Sequence, residues 1–475
     1  MLLRENRRTN VVWSFEAKCL TDQVLKDILE EDVDALRLAS GHNDLPLILE
    51  FIKKLRQQPN KGTIPLPILV DLLSKERGSL KNLAEPREVL FGQQLTFGKS
   101  GSCDFTLETD NIADLFTKGA AVYLGSGSVV LEVLQVQGET ATLEVRQGGV
   151  VLPDMEVHVP STRQPARLNA IDERSLKAIC DQEVEFVVVP GFENADELVR
   201  LNTTLETMGK GRAPWVILKL SSESVCEKLD ELLPHVRGVL IARVDLAMAT
   251  DPASVPMLTK EIIQKCNQQS KIVLVASEIL SSMRHNATPT RAEVSDIANA
   301  VFDGADGVVL SEDLAYGKYA RRGLMLARKT IEDVEKHGQS LTLNWAKDQT
   351  PVADSVLDTI TYSAYKTAHR IGAKAIVCIT KTGNTALHLS AMRSPIQVIA
   401  VTQDIQVLRR LKLVRGVNGF VLHEYPNIDE VLQIINSELV QDKWLKPGDR
   451  YVFVSVTLSS VEKEGSNLFT VQTVV

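Results

Sequence analysis

The charged and hydroxyl side chains of this chain that could do chemistry sit where apolar segments end. Ser311-Glu312-Asp313 follows Gly307-Val-Val-Leu310, Ser277 and Glu278 follow "KIVLVA", Lys219 lies near the end of "WVILKL", and Asp245 follows "RGVLIARV". Strands that are apolar throughout suit a parallel sheet buried on both faces, where polar residues collect at the C-terminal ends and active sites are built. A lysine or carboxylate in such a place is either part of a site or a solvated rim charge held in an ion pair; the residues alone leave both open. A different arrangement, "TKTGNTA", starts at Thr380, follows the apolar "AIVCI" and opens a helix. The hydroxyls of Thr380, Thr382 and Thr385, the Asn384 amide and the first N–H groups of that helix could hold an anion, the alternative being a Thr-capped helix with no ligand. "GSGSVV" after Tyr123 has the glycine spacing of a nucleotide-loop fragment but no helix behind it, so it reads as a hairpin turn.

The elements that must position these residues follow a regular beat. "NVVWSF", a helix from Asp22 to Glu30, "DALRLAS", a helix from Leu45 to Gln57 and "IPLPILVDLL" form a βαβαβ run. It stops at Arg77, and from Gly78 to Pro160 short alternating strands with Gly-rich turns replace it. The beat resumes through "FVVV", "PWVILKL", "RGVLIARVDL", "KIVLVASEIL" and "ADGVVLSED". Three strands before the interruption and five after it predict a (β/α)8 TIM barrel with an inserted small β-barrel domain. In the last of these units Asp296 is read as the helix cap, with Ile297, Ala300 and Val301 on one face and Gly304 as the left-handed stop. A polar stretch then leads to a C-terminal α/β domain. The expected divisions are 1–77 and 161–338 for the barrel, 78–160 for the insert and 339–475 for the last domain.

Composition narrows the class. At 475 residues the chain exceeds one compact core, and 24% charged residues with a net charge of −8 argue against a general nucleic-acid surface. The six cysteines contain no CxxC pair, and no apolar run is long enough for a signal peptide or a membrane span, so a cytoplasmic protein with reduced thiols is expected.

Taken together, "PTRAEVSDIANAVFDGADGVVLSED", Arg243-Val-Asp245, "RRTNVV", "LRL" at Leu36, "YLGSG", Cys266-Asn267 and "TKTGNTA" resemble, in order and over nearly the whole chain, the pyruvate kinase family. The resemblance implies phosphoryl transfer from phosphoenolpyruvate to ADP, a small phosphorylated metabolite and a nucleotide as ligands, an insert acting as a lid, an effector loop at Thr380, Thr382, Asn384 and Thr385, and a homo-oligomer. It implies that Arg37 and Lys219 flank the transferring phosphoryl group, that Ser277 takes the place of the threonine linked to enolate protonation, and that Val244 and Asp245 meet the substrate. His42, Arg243 and Lys260 also match the family pattern, while Arg7 and Arg8 are expected at the surface. Asp245 matches a ligand of a divalent ion, Mg or Mn, and Asp71 an acidic ligand of the monovalent cation.

The departures are as specific. Ala39 and Gly41 stand where the family has side-chain ligands for potassium, so potassium is not expected; Ser221 replaces a metal-binding glutamate, Val244 replaces a glycine, and Gly125 and Ser126 replace acidic residues of the lid. Of the segment around Asp71, only Asp71 and Glu76 keep register, with Glu278 and Glu312 as conceivable replacement ligands. Two readings stand: a pyruvate kinase of low activity, or a non-catalytic relative that binds a metabolite or regulates a partner subunit.

Overall fold

The computed structural model describes residues 7–31, 33–39, 45–58, 65–72, 78–81, 83–99, 103–108, 112–125, 127–153, 155–159, 173–315, 317–337, 355–423, 428–456 and 467–474. Eight parallel strands close into a barrel: β1 (Asn10–Glu16), β2 (Ala35–Ala39), β3 (Ile68–Asp71), β4 (Phe186–Val189), β5 (Trp215–Leu220), β6 (Gly238–Ala242), β7 (Ile272–Ala276) and β8 (Gly307–Val309). Closure comes from β1, whose Val12 pairs with Ala35 of β2 while Val11 pairs with Val308 of β8. The expected (β/α)8 architecture is present, with three strands before the insert and five after it.

Side-chain alternation sorts each strand into two faces. Val12, Ala35, Leu69, Ile217, Leu240 and Leu274 pack together inside the barrel. Val11, Leu36, Val70, Leu218, Val239 and Val273 instead face the surrounding helices. Advancing two residues along the inward face brings Ser14, Arg37, Asp71 and Lys219 to the C-terminal end of the barrel, with the small Ala242 and Ala276 across from them. The period of the strands thus dictates that the polar residues converge at one mouth.

The helix Arg291–Asp303 corrects two expectations at once. Its cap is Thr290, whose hydroxyl accepts from Glu293 N–H while the Glu293 carboxylate reaches back to the Thr290 N–H, so Asp296 lies inside the helix. Gly304 does end it, at φ +90°. Arg7 is buried, not at the surface. It forms a fork with Asp34, which is fully buried and also accepts from Val11 N–H at 2.6 Å; an enclosed carboxylate of that kind requires a cation.

The insert folds into a second closed barrel, mostly antiparallel, around its own core of Leu80, Phe97, Leu131, Leu143 and Val145. Its first strand, Gly78–Lys81, and its last, Glu156–His158, pair with each other, so the chain enters and leaves side by side. The segment after Tyr123 is a hairpin turn between Ala121–Leu124 and Val129–Gln137. The C-terminal sheet runs Val417–Val421, Gln397–Thr402, Ala375–Ile379, Arg450–Ser455 and Leu468–Thr473, all parallel except the last. One side of this domain docks on the base of the barrel, where Arg410 donates to Ala213 O at 2.7 Å and Asn10 to Leu413 O at 2.8 Å.

Candidate active site

At the mouth, Arg37 is enclosed. Its Nε donates to Asp71 Oδ1 at 3.0 Å and Nη2 to the other Asp71 oxygen, while Nη1 donates to Ser14 Oγ at 3.0 Å and to Glu312. Burial works against the charge, but Asp71 and Glu312 outweigh it and hold the guanidinium well above its ordinary pKa. The β1–β2 register sets Ser14 directly beside Arg37. Glu312 opens a short helix, Glu312–Ala315, just past β8.

A second pair lies nearby on the same rim. Lys219 Nζ contacts Asp245 Oδ2 at 2.6 Å, and both are largely buried. Asp245 belongs to the helix Arg243–Ala249, which starts directly after β6, with Val244 partly buried in its first turn. The other carboxylate oxygen faces His158 Nδ1 at 4.0 Å. His158 ends the last strand of the insert, so that domain reaches the rim of the barrel.

Arg243 has a positioning role. It donates to Ala276 O at 3.1 Å and Ser277 O at 2.8 Å and is anchored on Asp296 at 2.5 Å. It thereby clamps the turn after β7, in which Ser277 and Glu278 hold left-handed φ values of +78° and +56°. Such a conformation costs a non-glycine residue about 1–3 kcal/mol and persists only where its surroundings impose it. The Glu278 side chain is exposed. Lys260 points elsewhere, to Asp303 on a neighbouring helix. His42, Gly41, Glu76 and Ser126 lie outside the described residues.

The Thr380 loop is folded by its own groups. Thr380 Oγ accepts from Gly383 N–H at 2.9 Å, Gly383 at φ +92° is the N-cap of the helix Asn384–Ala391, and no side chain caps that helix. The Thr-capped alternative is therefore corrected: the left-handed entry excludes a threonine cap and selects glycine. Asn384 accepts from Arg237 of the barrel at 2.9 Å, Thr382 is exposed and Thr385 buried.

The structure thus brings Arg37 to Asp71 and Lys219 to Asp245, and leaves Ser277 on a separate clamped turn. Sequence reasoning missed Ser14, His158, Asp296 and the attachment of Glu312 to Arg37. Only Ser14 carried a local signal, as a hydroxyl on the inward face of an apolar strand. Among the described residues no group of three His, Cys, Asp or Glu could hold a metal ion, and no helix is long and apolar enough to cross a membrane.

Two family models match the chain: "Pyruvate kinase, barrel domain" over residues 6–324 and "Pyruvate kinase, alpha/beta domain" over residues 358–472. Among curated relatives, a pyruvate kinase of Clostridium perfringens is 27% identical, covering 98% of this chain and 99% of its own. Pyruvate kinase 2 of Synechocystis sp. is 28% identical over 96% of this chain and 77% of its own, and the pyruvate kinase of Thermotoga maritima is 26% identical over 86% and 88%.

Proposed function

This chain belongs to the pyruvate kinase family, and we propose that its barrel mouth carries out the family reaction, phosphoryl transfer from phosphoenolpyruvate to ADP, at a much reduced rate. In that reaction a terminal ADP oxygen attacks phosphorus, the bond to the enol oxygen breaks with its electron pair, and the resulting enolate takes a proton at carbon to give pyruvate. Positioning and electrostatics carry most of such a transfer. Arg37 and Lys219 would meet the transferring phosphoryl group, the Val244 N–H the substrate carboxylate, and the Ser277 hydroxyl the enolate carbon.

The observation that carries the low rate is that both cations are already engaged. A phosphoryl group must compete with Asp71 and Glu312 for Arg37, and with Asp245 for Lys219. The donor set also fits a resident Mg or Mn ion poorly. Asp245 faces Lys219 and His158, and Ser221 supplies no charge, whereas such an ion is commonly held by one or two carboxylates together with substrate oxygens. Ala39 has no side-chain oxygen and both Asp71 oxygens accept from Arg37, so potassium is not expected to raise activity. The insert would act as a lid, its paired entry and exit strands serving as the hinge and His158 as the contact made on closing.

A second reading, a non-catalytic subunit that binds the phosphorylated metabolite, is favoured by the same ion pairs. The two share binding at Arg37 and part on turnover. Calorimetric titration of phosphoenolpyruvate with Mn present tests the shared part. Wild type should bind saturably and Arg37→Gln at least tenfold more weakly; equal binding by both proteins would remove the barrel mouth from the account.

A further inference from the structure

At the opposite end of the barrel a cavity of about 130 Å³ lies in the seam with the C-terminal domain. Arg237 and Lys271 enter it from the residues just before β6 and β7, and Ser270 from the same turn as Lys271. Asn384, Leu387 and His388 enter it from the helix Asn384–Ala391. The volume is several times the roughly 10–15 Å³ that one water needs on the same measure, and no carboxylate is among the described residues that line it.

The two cations are held by neutral groups. Arg237 donates to Asn384 Oδ1 at 2.9 Å and lies 5.2 Å from the centre of the Trp215 ring; Lys271 donates to Val236 O at 2.9 Å. Among the described residues neither forms an ion pair with a carboxylate. Buried charge without a counter-charge is costly, and it is normally found paired or bound to a ligand. Among the described residues two acids lie nearby: Glu206 acts on Arg237 across space without forming an ion pair, and Asp358 is taken by Nδ1 of His388, a residue that lines the cavity, at 2.7 Å.

We propose that this seam cavity binds a compact oxyanion, inorganic phosphate or the phosphoryl end of a phosphomonoester. Arg237 and Lys271 supply the charge, and Asn384, Ser270 and His388 supply directional hydrogen bonds. The site is separate from the barrel mouth, which lies at the other ends of the strands, and shares with the Thr380 loop only Asn384, the three threonines of that loop not being among its lining residues. Because the anion would touch residues of both domains, its binding would tie the C-terminal domain to the barrel and stabilise that arrangement by mass action.

The charge state of Lys271 gives the site a signature. Burial, then repulsion from Arg237, lowers its pKa from 10.5 to about 8, with the buried Cys266 thiol acting weakly the other way and His388, paired with Asp358, facing it from the C-terminal domain. A bound anion favours the ammonium, so binding at pH 8.5 should draw a proton from the buffer.

The test is calorimetry of the full chain with inorganic phosphate at constant ionic strength, in buffers of different ionisation enthalpy. Saturable binding with proton uptake at pH 8.5 is expected. Lys271→Met and Arg237→Gln should each weaken it at least tenfold, while Arg37→Lys at the mouth and Thr382→Val in the loop leave it unchanged. Lys271→Met keeps the test sound if Arg237→Gln, which loses its stacking on Trp215, does not fold. Glycerol 3-phosphate binding more tightly than phosphate would identify a phosphomonoester as the occupant, and the reverse order inorganic phosphate. Absence of saturable binding, equal affinity in wild type and Lys271→Met, or loss of binding in Arg37→Lys would each overturn the proposal.

Discussion

The barrel mouth and the seam cavity each hold a pair of cations, Arg37 with Lys219 and Arg237 with Lys271, and the two pairs are treated in opposite ways. At the C-terminal ends Arg37 is bracketed by Asp71 and Glu312, and Lys219 rests on Asp245. At the seam, Arg237 and Lys271 form no ion pair among the described residues and meet a carbonyl, an amide and an aromatic ring, with Glu206 acting on Arg237 only across space. A neutralised cation is tolerable in a buried place but must release a partner before it can grip a ligand. One that is partly buried and not tied into an ion pair lowers stability and keeps more of its attraction for an anion. The difference is what supports the two proposals, reduced chemistry at the mouth and anion binding at the seam.

Removing the cation at the mouth should have the largest effect. Arg37→Gln leaves Asp71 and Glu312 facing each other across a buried space, and loss of one member of such a network costs about 3–5 kcal/mol. Denaturant unfolding measures it, and a loss of under ~1 kcal/mol would break the comparison by showing that Arg37 is not the centre of the network. Next comes restoration of the missing anion. Ser221→Glu should raise Mn affinity by about tenfold, or ~1.4 kcal/mol, in a calorimetric titration. Adding Val244→Gly should help turnover beyond affinity, and the two sites are close enough for their effects to couple.

At the seam the sign reverses. Lys271→Met removes a partly buried charge, so in phosphate-free buffer it should stabilise the protein by on the order of 1 kcal/mol at pH 7. The folded-state pKa of about 8 lies below the ordinary 10.5. Below pH 8 the lysine is charged in both states and the burial cost is fully present; as pH rises from 8 to 10.5 the folded protein sheds the proton first, and the cost disappears. The advantage of the variant in melting temperature should shrink over that interval. An advantage constant from pH 7 to 10.5 would assign it to packing alone. The smallest expected effect belongs to Glu312→Gln, which frees one edge of Arg37 and should tighten phosphoenolpyruvate about threefold, or ~0.6 kcal/mol, by calorimetry.

Much of the architecture was legible because it repeats. Apolar strands of one period, separated by helices, fix the barrel, and the helices Asp22–Glu30 and Leu45–Gln57 begin and end where their patterns do. The mouth was legible only as a set of positions. That Arg37 spends itself on Asp71 and Glu312 depends on register across β1, β2 and β3 and on a helix 275 residues away, which no local pattern encodes. Two errors had local remedies. "TRAE" at Thr290 is a capping box that outranks Asp296, and a left-handed cap after Thr382 calls for Gly383. Arg7 had none, since its burial follows from Asp34 at the foot of β2. The seam cavity was invisible for the same reason as the ion pairs: residues near 237, 270 and 386 meet only in three dimensions.

The central claim is that ion pairing and the loss of a metal ligand have silenced most of the chemistry at the barrel mouth. Steady-state release of pyruvate by the purified wild type, with phosphoenolpyruvate, ADP and Mn all saturating, tests it most directly. The account predicts turnover at least a hundredfold below an ordinary enzymatic rate of about 10 s⁻¹, improved by Ser221→Glu. Turnover of about 10 s⁻¹ by the unaltered protein would contradict it.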